Sequence, residues 1–168
     1  MPAPADFDPG ADATTTTSGR NGPQINPSTG LSTDYLNHFT EAVMALEMAG
    51  SAPECLDDLR AWRPKSYAAH FAGSRFSNRD AIVAAYLATD PAIRTTLDQM
   101  SEVLNALVER SRDLACQHTD ATEIEAIARR GVARLRPLIA RTAAVINGAT
   151  GTEIRRGPQA EIDAMFAR

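Results

Sequence analysis

The stretch DPAIRTTLDQMSEVLNALVERSRDLACQHTDATEIEAIARRGVARLRPLIARTAAVINGA, residues 90–149, decides the fold. Asp90-Pro91 is a helix start: the carboxylate can take up free backbone N–H groups, and proline suits the first turn because it has no N–H to lose. Leu97, Met100, Leu104, Leu107, Ser111 and Leu114 then follow in steps of three and four. That is the a/d spacing of a helix packed along its whole length. It predicts a helix from roughly Pro91 to His118, about 42 Å long. Thr119-Asp120 with Glu123 signals a second start. The helix from about Ala121 to Ala149 carries Ile124, Ile127, Leu135, Leu138, Val145 and Ile146, with Gly131 and Pro137 interrupting it. A kink is expected near Pro137. Two long helices joined by a short turn make an antiparallel hairpin.

Upstream, Ser32 or Thr33 can cap a helix running to about Ala49, with Leu36, Phe39, Val43 and Leu46 on one stripe and Gly50 as terminator. Ser51-Ala52-Pro53-Glu54 opens a short helix that ends near Trp62, before Pro64. A further short helix carries Tyr67, His70 and Phe71, and Ser77-Asn78-Arg79-Asp80 has the form of a capping box ahead of Ile82-Leu87. Trp62, Arg63, Tyr67 and His70 are expected to pack one corner of the bundle. These helices can complete a bundle with the hairpin, or two hairpins can pair as a homodimer. The fold class is therefore all-α and four-helix-bundle-like.

Composition agrees. The 168 residues are 43% hydrophobic but only 5% aromatic, a balance that favours packed helices over a β-sandwich. Residues 1–30 hold five prolines, four glycines and the run Thr14–Thr17, so they read as a disordered leader. Residues 31–149 form the helical domain, 150–158 a linker with Arg155-Arg156, and 159–168 a short amphipathic peptide. With 17 basic and 21 acidic residues the formal charge is -4, which argues against non-specific nucleic-acid binding. No apolar run approaches membrane-spanning length and the N-terminus lacks a secretory signal pattern. Cys55 and Cys116 have no motif spacing. A cytoplasmic protein is the expectation.

The terminal stretch Gln159-Ala160-Glu161-Ile162-Asp163-Ala164-Met165-Phe166 resembles the regulator-binding peptide of FliM-type flagellar switch proteins and, more loosely, that of CheZ-like chemotaxis phosphatases. A hairpin followed by a linker and such a peptide is similar to the CheZ arrangement. The resemblance implies a CheY-like response regulator as partner. Ile162, Met165 and Phe166 would fill an apolar groove on it, with Gln159, Glu161 and Asp163 at the rim. The alternative is that this tail folds back on its own bundle.

CheZ-like proteins also carry an Asp-x-x-x-Gln pair on a bundle helix, which Asp113 and Gln117 match. Spacing of four puts both on one helical face, beside the seam. The resemblance implies that Gln117 orients the water attacking a phosphoaspartate, that Asp113 pairs with a regulator lysine, and that Mg belongs to the regulator, so the chain needs no cofactor of its own. Here Gln117 sits nearer the hairpin turn than in the family. The alternative is a solvated face. Glu102-Val-Leu-Asn105 is similar to the Glu-x-x-Asn of a second phosphatase class of α/β fold, and leaves Asn105 as a spare amide.

The remaining polar residues point less far. His38 and Glu41 share a face, but one such pair is no di-metal site. A phosphotransfer histidine wants a nearby Lys or Gly; the sole lysine, Lys65, neighbours none of the three histidines closely in sequence, and His70 is the least poor candidate. Arg129, Arg130, Arg134, Arg136 and Arg141 make the last long helix basic. Arg130 and Arg134 are candidates for steering an acidic partner surface. There is no Gly-rich phosphate loop, nucleophile elbow or Cys-x-x-Cys. Two functions stand: a regulator-binding protein, possible phosphatase for phosphoaspartate, and a non-catalytic helical adaptor using the same tail.

Overall fold

The computed structural model describes residues 24–52 and 55–149. The order is a 3-10 turn (Thr33–Leu36), α1 (Asn37–Met48), α2 (Cys55–Ala61), α3 (Tyr67–Ala72), α4 (Arg79–Ala88), α5 (Pro91–Cys116) and α6 (Ala121–Ile146). The fold is all-α, with no strand among the described residues.

Local chemistry sets the helix starts. Asp90 Oδ1 accepts from the N–H groups of Ala92 and Ile93 at 2.8 and 3.4 Å, and Asp120 Oδ1 accepts from Glu123 N–H at 3.0 Å. Ser66 Oγ caps α3 through Ala69 N–H. The capping box expected at Ser77–Asp80 does not form. The helix begins at Arg79, so Asn78 occupies the cap position, and it makes no side-chain cap bond. The register is one residue later than a box led by Ser77 requires.

α5 and α6 form the antiparallel hairpin, and α1 lies along both of them. The hairpin's apolar side is thus covered by an earlier helix of the same chain. α2 packs across α1 and α5, while α3 packs on α4 and the 3-10 turn. The core runs from Leu31 through Phe39, Leu46 and Leu59 to Leu97, Leu104, Leu135 and Ile146, all fully buried.

The buried stripe of α5 is Leu97, Ser101, Leu104, Val108, Ser111 and Ala115. The spacing is the expected alternation of four and three, but every second position is one residue later than the sequence suggests. Met100 and Leu107 are half-buried, and Leu114 is exposed. Small residues explain the rotation. A Cβ added at Gly131 of α6 would fall 2.5 Å from Ser111 Oγ. The two backbones approach so closely there that glycine has to face the serine.

Residues 26–31 belong to the packed structure, although composition extends the disordered leader to residue 30. Gly30 N–H donates to Asn26 C=O at 2.8 Å, and Gly30 takes the left-handed φ of 72° that this turn needs. Thr29 Oγ1 donates to Ile146 C=O at 2.6 Å, and Thr89 Oγ1 donates to Thr29 C=O at 2.8 Å. The turn therefore ties the ends of α4 and α6 together.

The three tyrosines and the one tryptophan gather at one corner. Tyr35 meets Phe39 and Tyr67 edge-on, both at 5.3 Å, and Tyr67 stacks on Tyr86 at 5.0 Å. Tyr86 Oη donates to Asp98 at 2.7 Å, joining α4 to α5. Burial raises the phenols of Tyr35 and Tyr67 to about 12. Ser32 N–H donates to Tyr67 Oη at 2.8 Å in the interior. Tyr67→Phe strands that N–H and should cost about 1–3 kcal/mol in chemical denaturation.

Candidate functional site

Asp113 and Gln117 lie on the last turn of α5, where the hairpin reverses. Gln117 is the C-cap, and its N–H reaches Leu114 C=O at 3.2 Å. His118 Nδ1 lies 2.7 Å from Glu123 Oε2 across the turn, closing that end of the hairpin. Both Asp113 and Gln117 are exposed, outside the buried stripe, as their spacing from the seam requires.

The two side chains differ in what already holds them. Asp113 Oδ1 accepts from Arg112 Nε at 2.8 Å. Arg112 is only 17% exposed and also faces Glu109 at 3.9 Å and Trp62 C=O at 3.4 Å. Its guanidinium is held more basic than usual, first through the hydrogen bond to Asp113. The Gln117 amide makes no side-chain hydrogen bond among the described residues. An amide can donate and accept at once but is too weakly basic to take a proton from water. It can orient a water and cannot act as a general base.

Asp113 also lines a cleft of about 400 Å³ with Arg60, Arg63, Glu109, Arg112 and Cys116. Gln117 is not part of that lining. Arg60 already pairs with Asp57 at 2.7 Å, so the cleft's charges are largely balanced. The sequence identified Asp113 but not Arg60 or Arg112, and it assigned Arg63 to the Trp62–Tyr67–His70 corner, whereas Arg63 is exposed and lines this cleft. Arg112 is the neighbour of Asp113 in the chain, while Arg60 and Arg63 come from the α2 region and only tertiary packing brings them close.

On α6, Arg130 and Arg134 are exposed one turn apart, and neither has an ion pair among the described residues. Arg136 pairs with Glu47 of α1 at 2.6 Å, and Arg141 is half-buried. The tail residues Gln159, Glu161, Ile162, Asp163, Met165 and Phe166 lie outside the described residues. Asn105, the spare amide, is tied down, its Nδ2 donating to Lys65 C=O at 3.1 Å.

His70 joins the expected aromatic corner, edge-on to Tyr35 at 5.5 Å, and His38 is buried beside it. His38 is 6% exposed, stacked on Trp62 at 4.7 Å, with His70 at 5.9 Å. Lys65 is distant in sequence from His38 but acts on both rings as a nearby positive charge. Glu41, three residues further along α1, is exposed, while His38 is buried. No group of three metal-ligating side chains occurs among the described residues.

Fold and site together define a helical bundle with an open carboxylate–amide pair at the hairpin turn. No protein-family model, curated protein or solved structure matches the chain. Among the described residues no helix is long and apolar enough to cross a membrane.

Proposed function

We propose that the chain binds a CheY-like response regulator and promotes hydrolysis of its phosphoaspartate. Residues Gln159–Arg168 recruit the regulator, Arg130 and Arg134 favour its acidic surface, and the Asp113–Gln117 face meets the phosphorylated site. The regulator supplies Mg. Water attacks phosphorus, the P–O bond to the aspartyl carboxylate breaks, and Gln117 aligns that water. Asp113 offers its carboxylate to a regulator lysine in exchange for Arg112. The observation that carries the reading is the exposed Gln117 amide, without an internal partner among the described residues, one helical turn from an exposed acid. Such a partner would place the chain in the cytoplasm. A tethered recruiting peptide raises the local concentration of a weak catalytic contact, so each can be modest alone.

A second reading, a non-catalytic adaptor, is favoured by the Arg112–Asp113 contact, which already engages the acid. One experiment separates the two. Deleting residues 158–168 should weaken binding to a phosphorylated regulator by more than about tenfold, as loss of a groove-filling helix does. Gln117→Ala should return phosphoaspartate decay to the regulator's own rate while leaving affinity unchanged. Unchanged stimulation in Gln117→Ala leaves the adaptor alone standing. Unchanged binding after the deletion removes both.

A further inference from the structure

Away from the hairpin turn, α1 and α2 enclose a groove of about 390 Å³. Leu59 and Trp62 lie in its lining, both buried. Met44 and Met48, one turn apart on α1, stand beside it at 56% and 50% exposure. Two half-exposed methionines flanking a buried tryptophan are not what a solvated helix face offers; thioether side chains reshape to fit an incoming apolar anchor. Glu41 and Asp58 are the charged residues of the lining. Both are exposed, and neither has an ion pair among the described residues. The groove is therefore apolar within and negative at its edges.

We infer that this groove docks an amphipathic helix of a partner protein, with apolar anchors one turn apart flanked by lysine or arginine. Charge complementarity selects that occupant. The chain's own tail carries Glu161 and Asp163 beside its apolar residues and would meet like charge at Glu41 and Asp58. A helix suits the site because α1 and α2 spend their backbone hydrogen bonds internally, leaving side chains in a groove as the means of recognition. The site is independent of the regulator-binding reading and uses none of its residues.

Trp62 is the chain's only tryptophan, so its emission reports on the groove directly. The full chain is titrated with a synthetic leucine–lysine amphipathic helix and with its leucine–glutamate counterpart. The lysine helix should shift Trp62 emission saturably and the glutamate helix should not. Met48→Ser, and Glu41→Gln with Asp58→Asn, should each weaken the lysine helix about tenfold. Leu87→Ser and Glu102→Gln, an exposed leucine and acid on α4 and α5, should change nothing. Circular dichroism confirms that each variant is folded. Equal response to the two helices, or groove variants that bind as tightly as the control variants, overturns the inference. So does a dimer that Met48→Ser dissociates, which assigns the groove to a second copy. A shift produced by the isolated peptide Gln159–Arg168 overturns it in favour of the chain's own tail.

Discussion

Gly131→Val should destabilise the protein by about 3 kcal/mol, among the larger losses expected for an inserted side chain. The cause is distance. A Cβ at position 131 would meet Ser111 Oγ at 2.5 Å and Ser111 Cβ at 3.0 Å. The hydroxyl can swing aside, but the Cβ is fixed to the α5 backbone, so the hairpin must part. Backbone freedom is not the issue, because Gly131 has helical φ in the interior of α6. Helix propensity works the other way and favours almost any residue over glycine, by up to about 1 kcal/mol for alanine. Alanine would therefore confuse two effects, and valine separates them. The clash should be relieved from the other side: Ser111→Gly removes the opposing Cβ. The double variant should recover a large part of what Gly131→Val loses beyond the cost of the second glycine. Urea denaturation of the four proteins in a double-mutant cycle measures this. A Gly131→Val midpoint equal to the parent's would mean the helices do not approach this closely.

The same contact explains what the sequence could and could not tell. The hairpin was legible because Asp90-Pro91 and Asp120 are unambiguous starts and because leucine and isoleucine recur at helical spacing. The rotational phase of α5 was not. Hydrophobic periodicity counts large side chains, so Leu107 and Leu114 outweigh Val108 and Ala115 in the pattern. The actual interface buries Ser101, Ser111 and Ala115, and at Ser111 the close approach of Gly131 requires a small residue. A small residue facing a glycine of a distant helix leaves no mark in a hydropathy pattern. Residues 26–30 differ from their composition for a related reason: asparagine, proline and glycine build tight turns as readily as they mark disorder, and only Thr29's bonds to α4 and α6 distinguish the two. At the candidate site, Asp113 and Gln117 were placed on an exposed face by simple helical spacing. Arg112's hold on Asp113 was not visible, since neighbours in sequence usually point apart on a helix. The packing of Lys65 near His38 and His70 depends on the loop between α2 and α3, whose course no periodicity encodes.

That packing has a consequence for acid stability. His38 is lowered from the ordinary 6.5 to about 4, first because burial strips water from its charged form, then because Lys65 and His70 add positive charge nearby. The backbone of Arg63 opposes this as the smallest of these influences, and Nε2 is buried with no acceptor among the described residues to hold a second proton. The folded ring is thus neutral where the unfolded ring would be charged. Between pH 6.5 and 4 the unfolded chain binds the extra proton, so stability is full above 6.5 and falls as pH drops towards 4. The slope approaches about 1.4 kcal/mol per pH unit, and the total loss from His38 is about 3 kcal/mol. His70, also lowered chiefly by burial, adds in the same direction. Carboxylates titrate in the lower part of this window, so the parent curve alone is not decisive. His38→Phe keeps an aromatic ring against Trp62, where the imidazole lies 4.7 Å away at 17°, and removes the proton. The difference in unfolding free energy between parent and variant should be flat above pH 7, and should move in the variant's favour as pH falls to 4. A difference that stays constant across that range would mean that His38 is protonated as easily inside the fold as outside it. The stacking on Trp62 would then have to accommodate an imidazolium, against both the buried Nε2 and the nearby Lys65.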